Sequence, residues 1–300
     1  MRKYNLCLNI SSFNFKPLLP LHELKKAIVI HNPGSGVKPV DQIKQKVENA
    51  LKDHFDLQYE ITSSFNHLQE LVSPTHLKEF DAVFVCGGDG TVNVVAKNLC
   101  DTGIPVGIIP TGSGNGLANS LQLASVDIAL QRIVQQESTV IDTLNINGHF
   151  SVNVSGLGFD AHIADLFSRE KKRGFLKYLK LVIQEFKNKS YWVVIDTDEH
   201  HLNTDCLLVS IANSNQWGNN IKINPNSSLT DGTFEIICLE KIYYWHIPKL
   251  IYLLMNGRVN QHSKVHIFTC NKAQIKARNA PLHIDGDYAG NVKESVYAAI

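Results

Sequence analysis

Three hundred residues exceed one average domain and suit two, with 44% hydrophobic residues for ordinary cores and 19% charged residues. The formal net charge is +1, so no whole-molecule field draws nucleic acid, and an anionic partner has to be met by a local patch. Six cysteines without CxxC spacing and thirteen histidines without HExxH spacing point away from disulfides and zinc, and toward a reducing cytosolic compartment.

The opening residues "MRKYNLCLNISSFNFKPLLP" are broken by Asn, Ser and Lys and lack the apolar core of a secretory signal. No segment approaches the ~20 apolar residues of a membrane span.

From Lys25 the pattern alternates. "KKAIVIH" reads as a strand, followed by the loop "NPGSG" and the amphipathic helix "DQIKQKVENALKDHF", with Ile43, Val47, Ala50 and Leu51 on one face. "LQYEITSS" is a second strand, and "HLQELVSPTHLKEF" is helical around a break at Pro74. "DAVFVC" is a third strand leading through a glycine turn into "TVNVVAKNLC". "IPVGIIP" is a fourth strand, followed by the turn "TGSGNG" and the helices "LANSLQL" and "SVDIALQRIVQQ". Strands alternating with helices predict a parallel sheet covered by helices on both faces, with ligands at the carboxyl ends of its strands. The three glycine loops, 32–36, 87–90 and 112–116, all follow strands and should gather along one edge.

After about Val140 the texture changes to short strand-like runs separated by turn residues, which predicts a mainly antiparallel β-sandwich. Helices interrupt it at Phe175–Lys189 and within "YYWHIPKLIYLLMNG". The expected domains are 24–143 and 144–288, with 289–300 returning to the first.

The loops have the character of a phosphate site. Closely spaced amides and glycines let an anion approach the backbone. None is a Walker A loop, because no GK[ST] follows. Loops two and three both lack the third glycine of GxGxxG, so a dinucleotide fingerprint is disfavoured. Asp89, in the middle of loop two, repels phosphate unless a cation or a proton stands between them. It can organise Mg²⁺ or accept a proton from an attacking hydroxyl; as a structural element it can cap the helix from Thr91.

"GGDGT" at 87–91, with "NPGSG" before it and "PTGSGNGLA" after it, resembles the diacylglycerol kinase catalytic domain. "GLGFDA" at 156–161, "SLTDGTFEI" at 228–236 and "HIDGD" at 283–287 extend the resemblance across nearly the whole chain from Lys25. It implies an NAD kinase-like two-domain fold holding ATP between its domains, and transfer of the γ-phosphate to the hydroxyl of a lipid such as diacylglycerol or a sphingoid base. It implies a nucleotide site of Asn32, Gly34, Gly36, Thr62, Gly88, Asp89, Gly90, Thr91, Asn93 and Ser113. It also implies a Mg²⁺ site from the Asp231 carboxylate and the carbonyls of Ser228 and Thr233, which are the hard oxygen donors that Mg²⁺ prefers.

Two positions depart from the bacterial pattern. Asp287 stands where those kinases carry the glutamate of "DGE", and Gly116 stands where loop three commonly carries an acid. The resemblance makes Asp287 the proton acceptor with Asp89 organising Mg²⁺; a sphingosine kinase-like alternative gives the proton to Asp89. Asp160 matches a sphingosine kinase position that touches the lipid's polar head. Two rivals remain: an NAD kinase-like phosphotransferase on a soluble acceptor, and an ATP-binding sensor.

Residues 168–189, "SREKKRGFLKYLKLVIQEFKNK", carry eight Lys/Arg against two Glu, with Phe175, Leu179, Val182 and Phe186 at helical spacing. This basic amphipathic helix suits anionic membrane through Lys171, Lys172 and Arg173, or packing of its apolar stripe on the sandwich. The expected location is cytoplasmic, peripheral to the inner face of the membrane.

Overall fold

The computed structural model describes residues 5–6, 24–36, 38–168, 175–186, 189–219 and 221–300. Two compact units divide between Ile141 and Asp142.

The first unit is built on four parallel strands, β1 (Lys25–His31), β2 (Phe55–Ile61), β3 (Ala82–Gly87) and β4 (Val106–Pro110), in the spatial order β2-β1-β3-β4. Val29 lies opposite Tyr59 on one side and Phe84 on the other. The central strands read as near-continuous apolar runs because a parallel sheet is buried on both faces. The helices are α1 (Val40–Leu51), α2 (Phe65–Leu71), α3 (Pro74–Leu77), α4 (Asp89–Leu99), α5 (Gly116–Ser120) and α6 (Val126–Val134).

Ile43, Val47 and Leu51 of α1 pack with Val126 and Leu130 of α6 over Val29, Phe84 and Ile109. Truncating the fully buried Ile43 or Leu51 to Ala would cost about 2–5 kcal/mol. The break at Pro74 is clean: α2 stops at Leu71, and Pro74 opens α3, where its missing N–H leaves no bond unmade.

The second unit is an eleven-stranded antiparallel sheet. Its strands are β5 (Leu144–Ile146), β6 (His149–Ser151), β7 (Val154–Gly158), β8 (Tyr191–Thr197), β9 (His201–Ala212), β10 (Phe234–Glu240), β11 (Val265–Cys270), β12 (Lys272–Ala277), β13 (Pro281–Ile284), β14 (Asp287–Asn291) and β15 (Ser295–Ala299). The long β9 pairs with β8 through its first half and with β7 through its second. Leu157, Val193, Ile195, Val209, Phe234 and Ile275 form its core. Three helices accompany the sheet, α7 (Phe159–Ser168), α8 (Phe175–Glu185) and α9 (Ile247–Met255). Among the described residues no helix is long and apolar enough to cross a membrane.

The structure corrects three boundaries. Residues 289–300 do not return to the first unit: β15 pairs with β12 and β5, and its alternate residues Val296 and Ala298 enter the second core. Asp142, expected in the first domain, belongs to the second unit. Its N–H donates to the Leu229 carbonyl at 2.7 Å, and its carboxylate accepts the Gly232 N–H at 2.7 Å. Finally, α8 ends at Glu185 rather than Lys189.

Candidate active site

Because β1, β3 and β4 are neighbours, the loops leaving their carboxyl ends lie side by side. Direct contacts then lock them. Asn32 caps the turn Pro33–Ser35 by accepting the Gly34 N–H at 3.0 Å, and its Nδ2 donates to Thr91 Oγ1 at 2.8 Å. Ser35 Oγ lies 3.2 Å from Thr111 Oγ1. Two glycines make the close approach possible. A Cβ on Gly36 would sit 2.4 Å from the Thr111 carbonyl oxygen, and one on Gly112 would sit 2.6 Å from Gly88 Cα.

Asp89 is not the cap of its own helix. It lies in the first turn of α4, with Gly88 at the N-cap position. Its carboxylate reaches into loop three instead, where Oδ2 accepts the Gly116 N–H at 3.0 Å and Oδ1 the Leu117 N–H at 3.1 Å. The negative charge in a loop built for anions thus has a structural use: it satisfies two orphan amides at the start of α5. An acid at position 116 is not needed to hold the two loops together.

Gly34, Gly36, Gly88, Gly90, Thr91, Asn93 and Ser113 lie on these same loops and the first two turns of α4. Thr62 sits one strand over, at the end of β2, donating its N–H to the His31 carbonyl at 2.8 Å. Two residues of this edge escape the sequence reading. Thr111 bridges to loop one. Asn115, held at φ 49°, donates Nδ2 to the Gly112 carbonyl at 2.8 Å, while its buried Oδ1 has no partner among the described residues. The positive φ that Asn tolerates was the available signal in "GSGNG".

Behind the loops, His31 Nδ1 lies 2.7 Å from the Tyr59 hydroxyl. Burial pushes His31 below its ordinary value and the Cys86 thiol up to about 12. Near neutral pH His31 is therefore a neutral imidazole and Cys86 a thiol rather than a thiolate.

In the second unit, Asp160 opens α7, and its Oδ2 lies 3.1 Å from His283 Nε2, both side chains nearly fully buried. His283 Nδ1 accepts the Gly286 N–H at 3.1 Å, so a neutral His283 carries its proton on Nε2 and donates it to Asp160. Asp285 is the anchor of the same turn. Its carboxylate accepts from Ser151 Oγ at 2.6 Å, the Val152 N–H at 2.9 Å and the Asn153 N–H at 3.0 Å. Asp287, opposite Ile284 across the β13–β14 hairpin, is exposed. The motif "HIDGD" therefore holds a buried partner for Asp160, a buried anchor and an exposed carboxylate.

Asp231 Oδ1 accepts both the N–H and the hydroxyl of Thr233, at 3.0 and 2.9 Å. Glu235 is pushed above its ordinary value by burial and by the nearby Asp231 charge, while a hydrogen bond from Ser227 opposes the shift. Among the described residues no three His, Cys, Asp or Glu form a metal cage. Mg²⁺ would rest here on the Asp231 carboxylate, the Ser228 and Thr233 carbonyls and water, a donor set that suits it.

The basic cluster Lys171, Lys172 and Arg173 lies outside the described residues. Of the apolar stripe on α8, Val182 and the following Phe186 pack with Phe159 and Ile163 of α7 and Leu207 of β9.

Comparison with known proteins bears on both units. Residues 26–146 match the diacylglycerol kinase catalytic domain, and residues 153–298 match the YegS C-terminal NAD kinase beta sandwich-like domain. A diacylglycerol kinase of Bacillus subtilis (strain 168) is 26% identical over 279 residues, covering 89% of this chain and 91% of that protein. A diacylglycerol kinase of Mycobacterium tuberculosis (strain H37Rv) is 25% identical over 280 residues, covering 89% and 90%.

The fold is similar to that of a diacylglycerol kinase from Bacillus anthracis str. Sterne, with TM-score 0.70, 17% identity and coverage of 93% and 95%. It is also similar to an NAD kinase from Archaeoglobus fulgidus solved in complex with ATP, with TM-score 0.51, 15% identity and coverage of 91% and 89%. With one family model matched on each unit, the chain pairs a diacylglycerol kinase catalytic domain with a YegS C-terminal NAD kinase beta sandwich-like domain.

Proposed function

We propose that the protein is an ATP- and Mg²⁺-dependent lipid kinase that transfers the γ-phosphate to the hydroxyl of a lipid such as diacylglycerol or a sphingoid base. The observation that carries this reading is the locked edge of three glycine loops at adjacent strand ends, with Asp89 tying loop two to loop three. Loop amides and glycines bind phosphate oxygens. Asp89 holds loop three through the Gly116 and Leu117 amides, and a carboxylate at this edge is also assigned the organisation of Mg²⁺. Asn32 and Thr91 keep loop one against α4, and Thr62 and Ser113 complete the nucleotide set.

In the transfer step the lipid oxygen bonds to the γ-phosphorus, the bond to the ADP oxygen breaks, and the lipid proton passes to a carboxylate. Asp287 is assigned that proton because it is an exposed carboxylate on a turn stiffened by Asp285. Asp160, positioned by His283, is assigned to the polar head of the lipid. Asp231, with the Ser228 and Thr233 carbonyls, is assigned a structural Mg²⁺. The protein would act at the cytoplasmic face of the membrane as a peripheral visitor.

The test is incubation with labelled ATP, Mg²⁺ and a panel of diacylglycerol, monoacylglycerol, sphingosine, ceramide and NAD, followed by chromatographic separation of products. Label in a lipid phosphate is the expected result. Label in NADP would establish the soluble-acceptor alternative, and ATP binding without any transfer would establish the sensor.

A further inference from the structure

Helix α9 is apolar on both sides. Its inner face is accounted for: Ile247 and Leu250 pack against the Phe159–Phe186–Leu239 cluster, Leu254 against Val154 and Ile237, and Leu253 is 5% exposed. The outer face carries Pro248, Tyr252 and Met255, and Trp245 stands on the 3-10 turn Tyr244–His246 that enters the helix. These positions are spaced three, four and three residues apart, so they share one side. Trp245 is 71% exposed, Met255 65% and Tyr252 58%.

Tyr243 stacks on Trp245 with ring centres 4.8 Å apart. The Tyr244 hydroxyl donates to the Phe186 carbonyl, tying the turn to the end of α8, where Ile183 is also 55% exposed. A helix apolar all round is normally covered all round, and a contiguous exposed apolar patch marks an interaction surface.

Charge selects the partner. From Lys241 to Lys264 the sequence contains four Lys/Arg and no Asp or Glu. Lys264 is bonded to Glu240 at 2.6 Å, while Lys241, Lys249 and Arg258 are exposed. Trp and Tyr, with apolar rings and polar tips, are the side chains that settle at the boundary between headgroups and acyl chains. An apolar aromatic face whose own segment carries cations and no carboxylate is complementary to anionic lipid.

We propose that the outer face of α9, Trp245, Pro248, Tyr252 and Met255 flanked by Lys241 and Lys249, seats this protein on an anionic bilayer. The inference rests on the lipid-kinase reading and names the surface by which such an enzyme reaches its substrate. It differs from the expectation that Lys171, Lys172 and Arg173 make that contact.

The experiment compares the parent with W245A/Y252A/M255A and with K241Q/K249Q. Binding is measured by sedimentation with vesicles of phosphatidylglycerol and phosphatidylcholine, and with phosphatidylcholine alone. Turnover of a dispersed short-chain diacylglycerol and melting temperature are measured alongside. The parent should prefer anionic vesicles. The triple variant should lose about tenfold or more in vesicle affinity, and the double variant about fivefold per charge, with melting temperature and short-chain turnover kept.

Brominated lipid should quench tryptophan emission of the parent and leave W245F largely unquenched, a readout that needs no disruptive variant. Equal vesicle binding by the parent and the triple variant would overturn the proposal. So would a parent dimer dissociated by the triple variant with vesicle binding unchanged, since a second copy would then be the occupant. If the parent phosphorylates no lipid yet binds vesicles through this face, the docking surface stands and the kinase substrate falls.

Discussion

The carboxylate of Asp89 accepts the backbone N–H of Gly116 at 3.0 Å across 27 residues of sequence, so loop two holds the first turn of α5. In Asp89→Asn the amide can accept one N–H, but its NH₂ then faces a second donor. Loss of a cap of this kind costs ~1 kcal/mol, which leaves the fold standing. Phosphate transfer should be abolished, and Mg·ATP affinity should fall with it. Calorimetric titration of nucleotide and kcat on one accepted lipid check this; near-normal turnover removes Asp89 from the site.

Asp287→Asn separates the proton acceptor from the Mg²⁺ organiser. A carboxylate that takes the proton of an attacking hydroxyl contributes about 10²–10⁴-fold. The variant should lose kcat in that range with ATP affinity nearly unchanged, and Asp287→Glu should keep much of the activity. If Asp287→Asn stays active while Asp89→Asn binds Mg·ATP normally but does not turn over, Asp89 is the base.

Asp231→Ala should lower thermal stability and activity together. If the parent binds Mg²⁺ at this turn, a hundredfold excess of Mg²⁺ over its Kd stabilises it by about 2.7 kcal/mol. The variant should show none of that gain in a melting series across Mg²⁺ concentrations. Equal stabilisation of both proteins would exclude an ion held by Asp231.

His31 links stability to pH. Burial lowers its folded-state pKa below the unfolded value of 6.5. Below pH 6.5 the unfolded chain therefore binds the proton first, and stability drains as pH falls from 6.5 toward the folded value. His31→Gln removes this dependence. The melting-temperature difference between parent and variant should shrink between pH 7 and pH 5.5. A constant difference across that range would mean that His31 titrates alike in both states.

The sequence by itself determined the local grammar of the chain. Strand–loop–helix alternation from Lys25, the glycine loops at strand ends and the helical spacing of Ile43, Val47 and Leu51 are written in consecutive residues. Backbone preference and amphipathic period act over a few positions, so they are legible without partners. Sequence spacing could not say which distant groups meet. Asp89 reads as the cap of the nearest helix, yet it caps α5. Asp160 and His283, 123 residues apart, become a buried pair only when β7 and β13 lie together.

"SVYAA" at 295–299 alternates as any half-buried strand does, and nothing local names the sheet it joins. Its place beside β12 was decided by burying Val296 and Ala298 in the second core. The exposed face of α9 was equally hidden, because an apolar helix reads as core until the packed fold leaves one side of it in water. Strand partners and buried pairs are chosen by the free energy of the whole packed chain, which only the tertiary structure expresses.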